Sequence, residues 1–149
     1  MDLFDTISEE IKKAMLAKDK VRLEALRGVK KEFIEAKTAK NAHDQFSDEV
    51  AIAIIQKMVK QRKDSAEIYT SQNRPDLAET EVAELNVLKE FLPAQLSEEE
   101  LEKAIKTIIS NVGATSMKDM GKVMGVATKE LSGKSEGKAI SIMVKKLLS

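Results

Sequence analysis

No stretch of this chain alternates apolar and polar residues at a sustained period of two, whereas apolar residues recur three and four apart from end to end. That spacing places side chains on one side of a helix, while a strand with one buried face needs the period-two pattern. The chain is therefore read as all-α, with seven helices. Leu3, Ile7, Ile11 and Met15 set the inward stripe of a first helix over about residues 2–17. Asp19 is placed to cap a second, running to about residue 37 with Val21, Leu26, Val29 and Phe33 inward. Thr38 to Phe46 is polar and reads as a loop. Ser47 caps a third helix whose opening, Val50 to Ile55, is apolar nearly all round, as expected of a central helix.

Asn73-Arg74-Pro75-Asp76 is a turn with Pro75 at a first helical position, and Pro93 stops the fourth helix after Phe91. Leu92 to Leu96 is the best boundary, dividing an N-terminal four-helix domain (1–92) from a small three-helix domain (93–149). Ser97 with Glu100 forms a capping box for the fifth helix, and Gly113 ends it. The sixth helix is read from Ser116 to Gly133, and the seventh from about Glu136 to Leu148. Three short helices bury little surface, so the second domain is expected to be marginally stable alone.

The composition excludes several kinds of chemistry. Cysteine is absent, which removes disulfides, thiolate metal sites and thiol nucleophiles. His43, the sole histidine, stands in a loop without a partner motif, so neither a catalytic dyad nor a metal site can be built on it. No cofactor and no catalytic residue are expected. The acidic start, Met1 to Asp5, is unlike a secretory leader, and no apolar run approaches a membrane span. These readings predict a cytoplasmic protein without a membrane partner. Formal charge is zero overall but uneven, because from Lys103 onward nine lysines face only Asp119, Glu130 and Glu136.

Two constellations remain. On a helical wheel Arg62 lies in the middle of the apolar face of the third helix, and Glu81 in that of the fourth. An antiparallel hairpin brings them level, so Arg62 is expected to pair with Glu81, or one turn on with Glu84. An unpaired buried charge would cost several kcal/mol. The pair reads as an ion pair fixing helix register or as a polar site between helices. Lys57, Lys60 and Lys63 form a second stripe on the third helix, either a solvated face or a phosphate contact. Glu98, Glu99 and Glu100 suit the dipole of a first helical turn.

The sixth helix turns Met117, Met120, Val123, Met124, Ala127 and Leu131 inward, and Lys118, Lys122 and Lys129 nearly opposite. Gly121 and Gly125 flank those lysines. A glycine inside a helix costs about 1 kcal/mol relative to alanine, so two beside lysines suggest close approach of another backbone, such as a nucleic acid's. Gly133 to Lys138 adds two lysines, Lys134 and Lys138, at a helix start suited to phosphate. The alternative is a solvated face and an ordinary turn. Gly133-Lys134-Ser135 is not a phosphate-binding loop, because Thr128 stands where the motif needs its first glycine and a helix precedes it.

Lys60 to Ser65, Asn73 to Ala78, Glu81 through Leu92-Pro93, and Lys118-Asp119-Met120-Gly121-Lys122-Val123-Met124 resemble the YqeY family over essentially the whole chain. In its C-terminal part that family is similar to the tail of GatB, a subunit of the amidotransferase that converts Glu-tRNA(Gln) or its aspartyl counterpart. The resemblance implies an all-helical, two-domain protein whose C-terminal part meets tRNA, with Lys118, Gly121 and Lys122 at the matching positions. Lys129, Lys134 and Lys138 are added from the wheel and the loop. The catalytic part of GatB has no counterpart in 149 residues, so a label such as carbon–nitrogen ligase with glutamine as amide donor is not expected to describe an activity of the isolated chain. The expected function is a tRNA-binding or tRNA-metabolism accessory protein, with no DNA partner. Two alternatives are a helical adaptor docking a synthetase or amidotransferase component, and an enzyme on aminoacyl-tRNA using Arg62, Glu81 and Glu84.

Overall fold

A computed structural model describes residues 2–39 and 46–149, so the loop holding His43 lies outside the described residues. Among these it consists of seven α-helices and one 3-10 turn, without a strand. The chain divides into two compact units, Met1–Leu92 and Pro93–Ser149.

The first unit holds α1 (Leu3–Ala17), α2 (Lys20–Thr38), α3 (Asp48–Ser71) and α4 (Pro75–Lys89). Each start is set locally: the side chains of Asp2, Asp19 and Ser47 accept the backbone N–H groups of Asp5, Arg22 and Val50, and Pro75 opens α4. The carboxylate of Asp48 also accepts the N–H of Leu3 at 2.9 Å, tying the starts of α1 and α3 together. α3 packs most extensively on α4 and α1 on α2, while α2 also touches α3 and α4. The core between them is aliphatic, with Ile7, Leu26, Val29, Ile55 and Leu88 fully buried. Its aromatic part is Phe33, whose ring lies 6.3 Å from that of Phe4 and 5.0 Å from that of Phe46.

Two expected core positions on these helices face solvent. Met15 is 53% exposed and Val21 41%, while Ala14 is buried. A four-residue step advances roughly 40° around a helix, so three steps from Leu3 carry Met15 about 120° off the buried face; Ala14 returns to within about 20° of it. The opening of α3 is also less enclosed than its composition suggests: Ala51 and Ile55 are buried, but Val50 is half-exposed.

Arg22 joins three helices of this unit. Its guanidinium donates to Glu10 of α1 at 3.0 Å and to Glu90, just past α4, at 2.7 Å. The Glu10 carboxyl is held below its ordinary range, first by the Arg22 hydrogen bond and then by that of Lys13.

The second unit contains α5 (Glu98–Val112), a 3-10 turn (Met117–Asp119), α6 (Met120–Glu130) and α7 (Gly137–Leu148). Leu101, Ile105, Ile108, Val123, Ala127, Ile140, Met143 and Val144 form its core. The Ser97–Glu100 capping box opens α5, and Gly113 closes it in the left-handed conformation at φ 71°. α6 is shorter than the stretch from Ser116 to Gly133. Ser116 caps the N–H of Lys118, which winds Met117–Asp119 into a 3-10 turn, and α6 ends at Glu130 before a turn around Gly133, φ 78°.

A carboxyl with a depressed folded value stabilises the protein above its unfolded value, and that stability is lost as pH falls through the folded one. Glu10→Gln is therefore expected to lower the urea midpoint at pH 7, with the difference from the parent shrinking below about pH 4. An equal difference at both pH values would contradict the Arg22 link.

Candidate functional site

The structure brings Arg62, Glu81 and Glu84 together. The Arg62 Nη1 donates to Glu81 Oε2 at 3.4 Å and to Glu84 Oε2 in a short contact. The three side chains are only 21, 22 and 16% exposed. Glu81 and Glu84 stand one turn apart on α4, where their charges repel, and Arg62 from α3 lies against both. The other edge of the guanidinium is different. Nε is enclosed and lacks a hydrogen-bond partner, and Nη2 lies beside Gly28 of α2, where a Cβ would come within 3.6 Å. Gly28, Gln61, Ser65 and Glu81 line an open recess of about 320 Å³ next to it. Of the lysine stripe on the same helix, Lys57, Lys60 and Lys63 are all exposed.

The second candidate face lies on α6. Val123 and Ala127 point into the core, while Gly121, Lys122, Gly125 and Lys129 are exposed. At 100° per residue these four occupy roughly 100° of arc opposite the core residues. Lys118 is exposed in the 3-10 turn just before them. That turn is fixed from both ends: the Thr115 N–H donates to Asp119 Oδ2 at 3.0 Å, and the Lys118 N–H to Ser116 Oγ at 3.3 Å. An alanine methyl at Gly121 or Gly125 would meet nothing within 4 Å. Among the described residues no side chain therefore requires glycine there, and neither residue has a positive φ.

Lys134 and Lys138 flank the start of α7 and are exposed. Their loop is strapped from the chain just before α5. Gln95 Nε2 donates to the Gly133 carbonyl at 2.7 Å, and the Leu96 N–H to the Lys134 carbonyl at 3.0 Å. Sequence reading missed Gln95, because a bond across 38 residues leaves no local pattern. Among the described residues, Lys118, Lys122, Lys129, Lys134 and Lys138 form no ion pair with a carboxylate. The charge excess is more local than a cut at residue 103 suggests. Over the whole second unit nine lysines face seven acidic residues, four of which (Glu98, Glu99, Glu100 and Glu102) open α5.

An all-helical chain of two small units, the second with a cationic face on a short helix, defines the class. Comparison with known proteins defines it further. The model of the Yqey-like protein family matches residues 4–148, and the chain belongs to this family. Similar proteins include "Altered inheritance of mitochondria protein 41, mitochondrial" of Lachancea thermotolerans, 32% identical over 75% of this chain and 60% of the relative. The proteins of that name from Vanderwaltozyma polyspora (31%, covering 76% and 64%) and Pyrenophora tritici-repentis (28%, covering 87% and 71%) are also similar. The chain thus spans less than two thirds of the length of the first two.

These names overturn the expectation of a cytoplasmic protein, since the relatives are named as mitochondrial. That expectation weighed only a secretory leader and membrane spans, and neither bears on import into an organelle.

Arg62→Ala leaves two facing carboxylates without their cation. It is expected to lower stability by about 2 kcal/mol in urea, the partial exposure of all three groups keeping the loss below that of a fully buried pair. Arg62→Met combined with Glu84→Gln removes both the repulsion and the enclosed donor and is expected to recover most of it. An unchanged midpoint for Arg62→Ala would show that the three groups are simply solvated.

Proposed function

We propose that the protein is a tRNA-binding accessory factor whose second unit holds the RNA backbone on the α6 face and the adjoining loop. The observation that carries this reading is the pair Gly121 and Gly125. Each costs about 1 kcal/mol of helix stability relative to alanine, a Cβ added at either would meet nothing within 4 Å among the described residues, and both lie between exposed lysines. A glycine row lets a polymer backbone approach the helix closely, and Lys118, Lys122 and Lys129 stand where phosphates would then lie. Lys134 and Lys138 extend the cationic surface to the start of α7. The resemblance of these helices to the GatB tail supports tRNA as the polymer. Recognition rests on phosphate position and helix shape, because the described aromatics of the chain belong to its first unit and are not available for base stacking at this face. Any relation to amidotransferase chemistry enters through the shared tRNA.

Substitution separates binding from folding here. Gly121→Ala with Gly125→Ala is expected to raise the melting temperature and yet weaken tRNA binding, two effects of opposite sign. Lys118→Glu with Lys122→Glu is expected to weaken binding on the order of a hundredfold, and binding by the parent is expected to fall steeply with salt. Gel-shift titration with purified tRNA, beside thermal unfolding followed by circular dichroism, measures both. Undiminished binding by the folded double-glutamate variant would refute the assignment. Partners that survive nuclease treatment of a lysate, with no tRNA binding at low salt, would favour a protein adaptor.

A further inference from the structure

The turn between α1 and α2 carries apolar side chains that the described residues leave exposed, Leu16 most of all. Leu16 is 86% exposed, the largest value among the big apolar residues, and Met15 beside it is 53% exposed; Val21, at the start of α2, is 41% exposed. Lys12, Lys13, Lys18 and Lys20 surround them in the chain, and all four are exposed. Among the described residues only Lys13 of these pairs with a carboxylate, Glu10 at 3.2 Å. The one acidic residue inside the turn, Asp19, uses its carboxylate to cap α2.

The turn is also held in one shape. The N–H groups of Lys18 and Asp19 close back on the carbonyls of Met15 and Ala14, at 3.2 and 3.0 Å. This places Lys18 at φ 57°, a left-handed conformation that glycine adopts without steric penalty. Lysine at that position is therefore not explained by backbone geometry, whereas it does put another cation beside Leu16.

An apolar point with exposed lysines on both sides of it in the chain matches one kind of surface on both counts. We infer that the α1–α2 turn docks on an anionic phospholipid surface. Leu16 and Met15 enter the boundary between headgroups and acyl chains, and Lys12, Lys18 and Lys20 lie at the level of the phosphates. Interfacial binding of this kind scales with the apolar area inserted plus attraction to anionic headgroups, and it needs no spanning segment. No helix among the described residues is long and apolar enough to cross a membrane, so the contact is with one surface only. The sequence reading of no membrane partner rested on span length, which does not test such a contact.

The test uses the full chain with vesicles of phosphatidylcholine alone and of phosphatidylcholine mixed with phosphatidylglycerol. The lysines of the second unit also attract anionic lipid, so co-sedimentation by itself is not decisive. Leu16→Trp is, because the chain has no tryptophan of its own. Its emission is expected to shift to shorter wavelength with the mixed vesicles and to stay unchanged with phosphatidylcholine alone. Met15→Asp with Leu16→Asp is expected to weaken co-sedimentation about tenfold or more, with helical circular dichroism intact. Unshifted Leu16→Trp emission in vesicle-bound protein, undiminished binding by the double aspartate, or no binding to mixed vesicles at low salt would each overturn the inference.

Discussion

Arg62 carries a charge into the most extensively packed pair of helices in the first unit, and the position of that pair follows from it. The core around it is aliphatic and could slide by a turn with little loss of buried area, since Ala, Leu, Ile and Met interchange at small cost. An arginine between two glutamates cannot slide in that way. One turn out of register, Arg62 would keep at most one of Glu81 and Glu84 beside it and leave the other without its cation. The enclosed Nε indicates that the arrangement is not an optimum of hydrogen bonding. It exchanges one unmet donor for a single register. Arg22 joins α1, α2 and the C-terminal end of α4 through Glu10 and Glu90.

The second unit is organised differently. Its stability rests on a small aliphatic core, a capping box and two glycines at positive φ, while the lysines of its α6 face pair with no carboxylate among the described residues. Gly113 and Gly133 are explained by backbone conformation. Gly121 and Gly125 are not, and they lie on a helix of only 11 residues where helix propensity matters. A unit with little surface to bury carries this cost on the same face as its unpaired lysines. That coincidence, more than the charge itself, is what the tRNA reading rests on.

Much of the fold was legible because its determinants are local. Capping residues at Asp19, Ser47 and Ser97, Pro75 at a helix start and Gly113 at a helix end each act within a few residues. What failed to show in the sequence depended on geometry accumulated over distance. Met15 was placed inward because a four-residue repeat looks like a stripe, although it drifts steadily around the helix. The short 3-10 turn before α6 was read as α-helix because Ser116 signals a start without specifying the winding that follows. The strap from Gln95 to Gly133 and the exposure of Leu16 need tertiary structure to be seen. For the candidate site, the lysines and glycines could be grouped by helical angle, but whether anything in the chain packed on the glycines could not.

On the reading proposed above, one face of the second unit, and not the recess beside Arg62, meets RNA. Amide-resolved NMR titration of the labelled chain with purified tRNA at low salt tests it directly. Shifts and broadening are expected to concentrate on the 3-10 turn, on Gly121, Lys122, Gly125 and Lys129 of α6, and on the loop with Lys134 and Lys138. Perturbations concentrated instead on Gly28, Gln61, Arg62 and Ser65, with the α6 face unmoved, would contradict it.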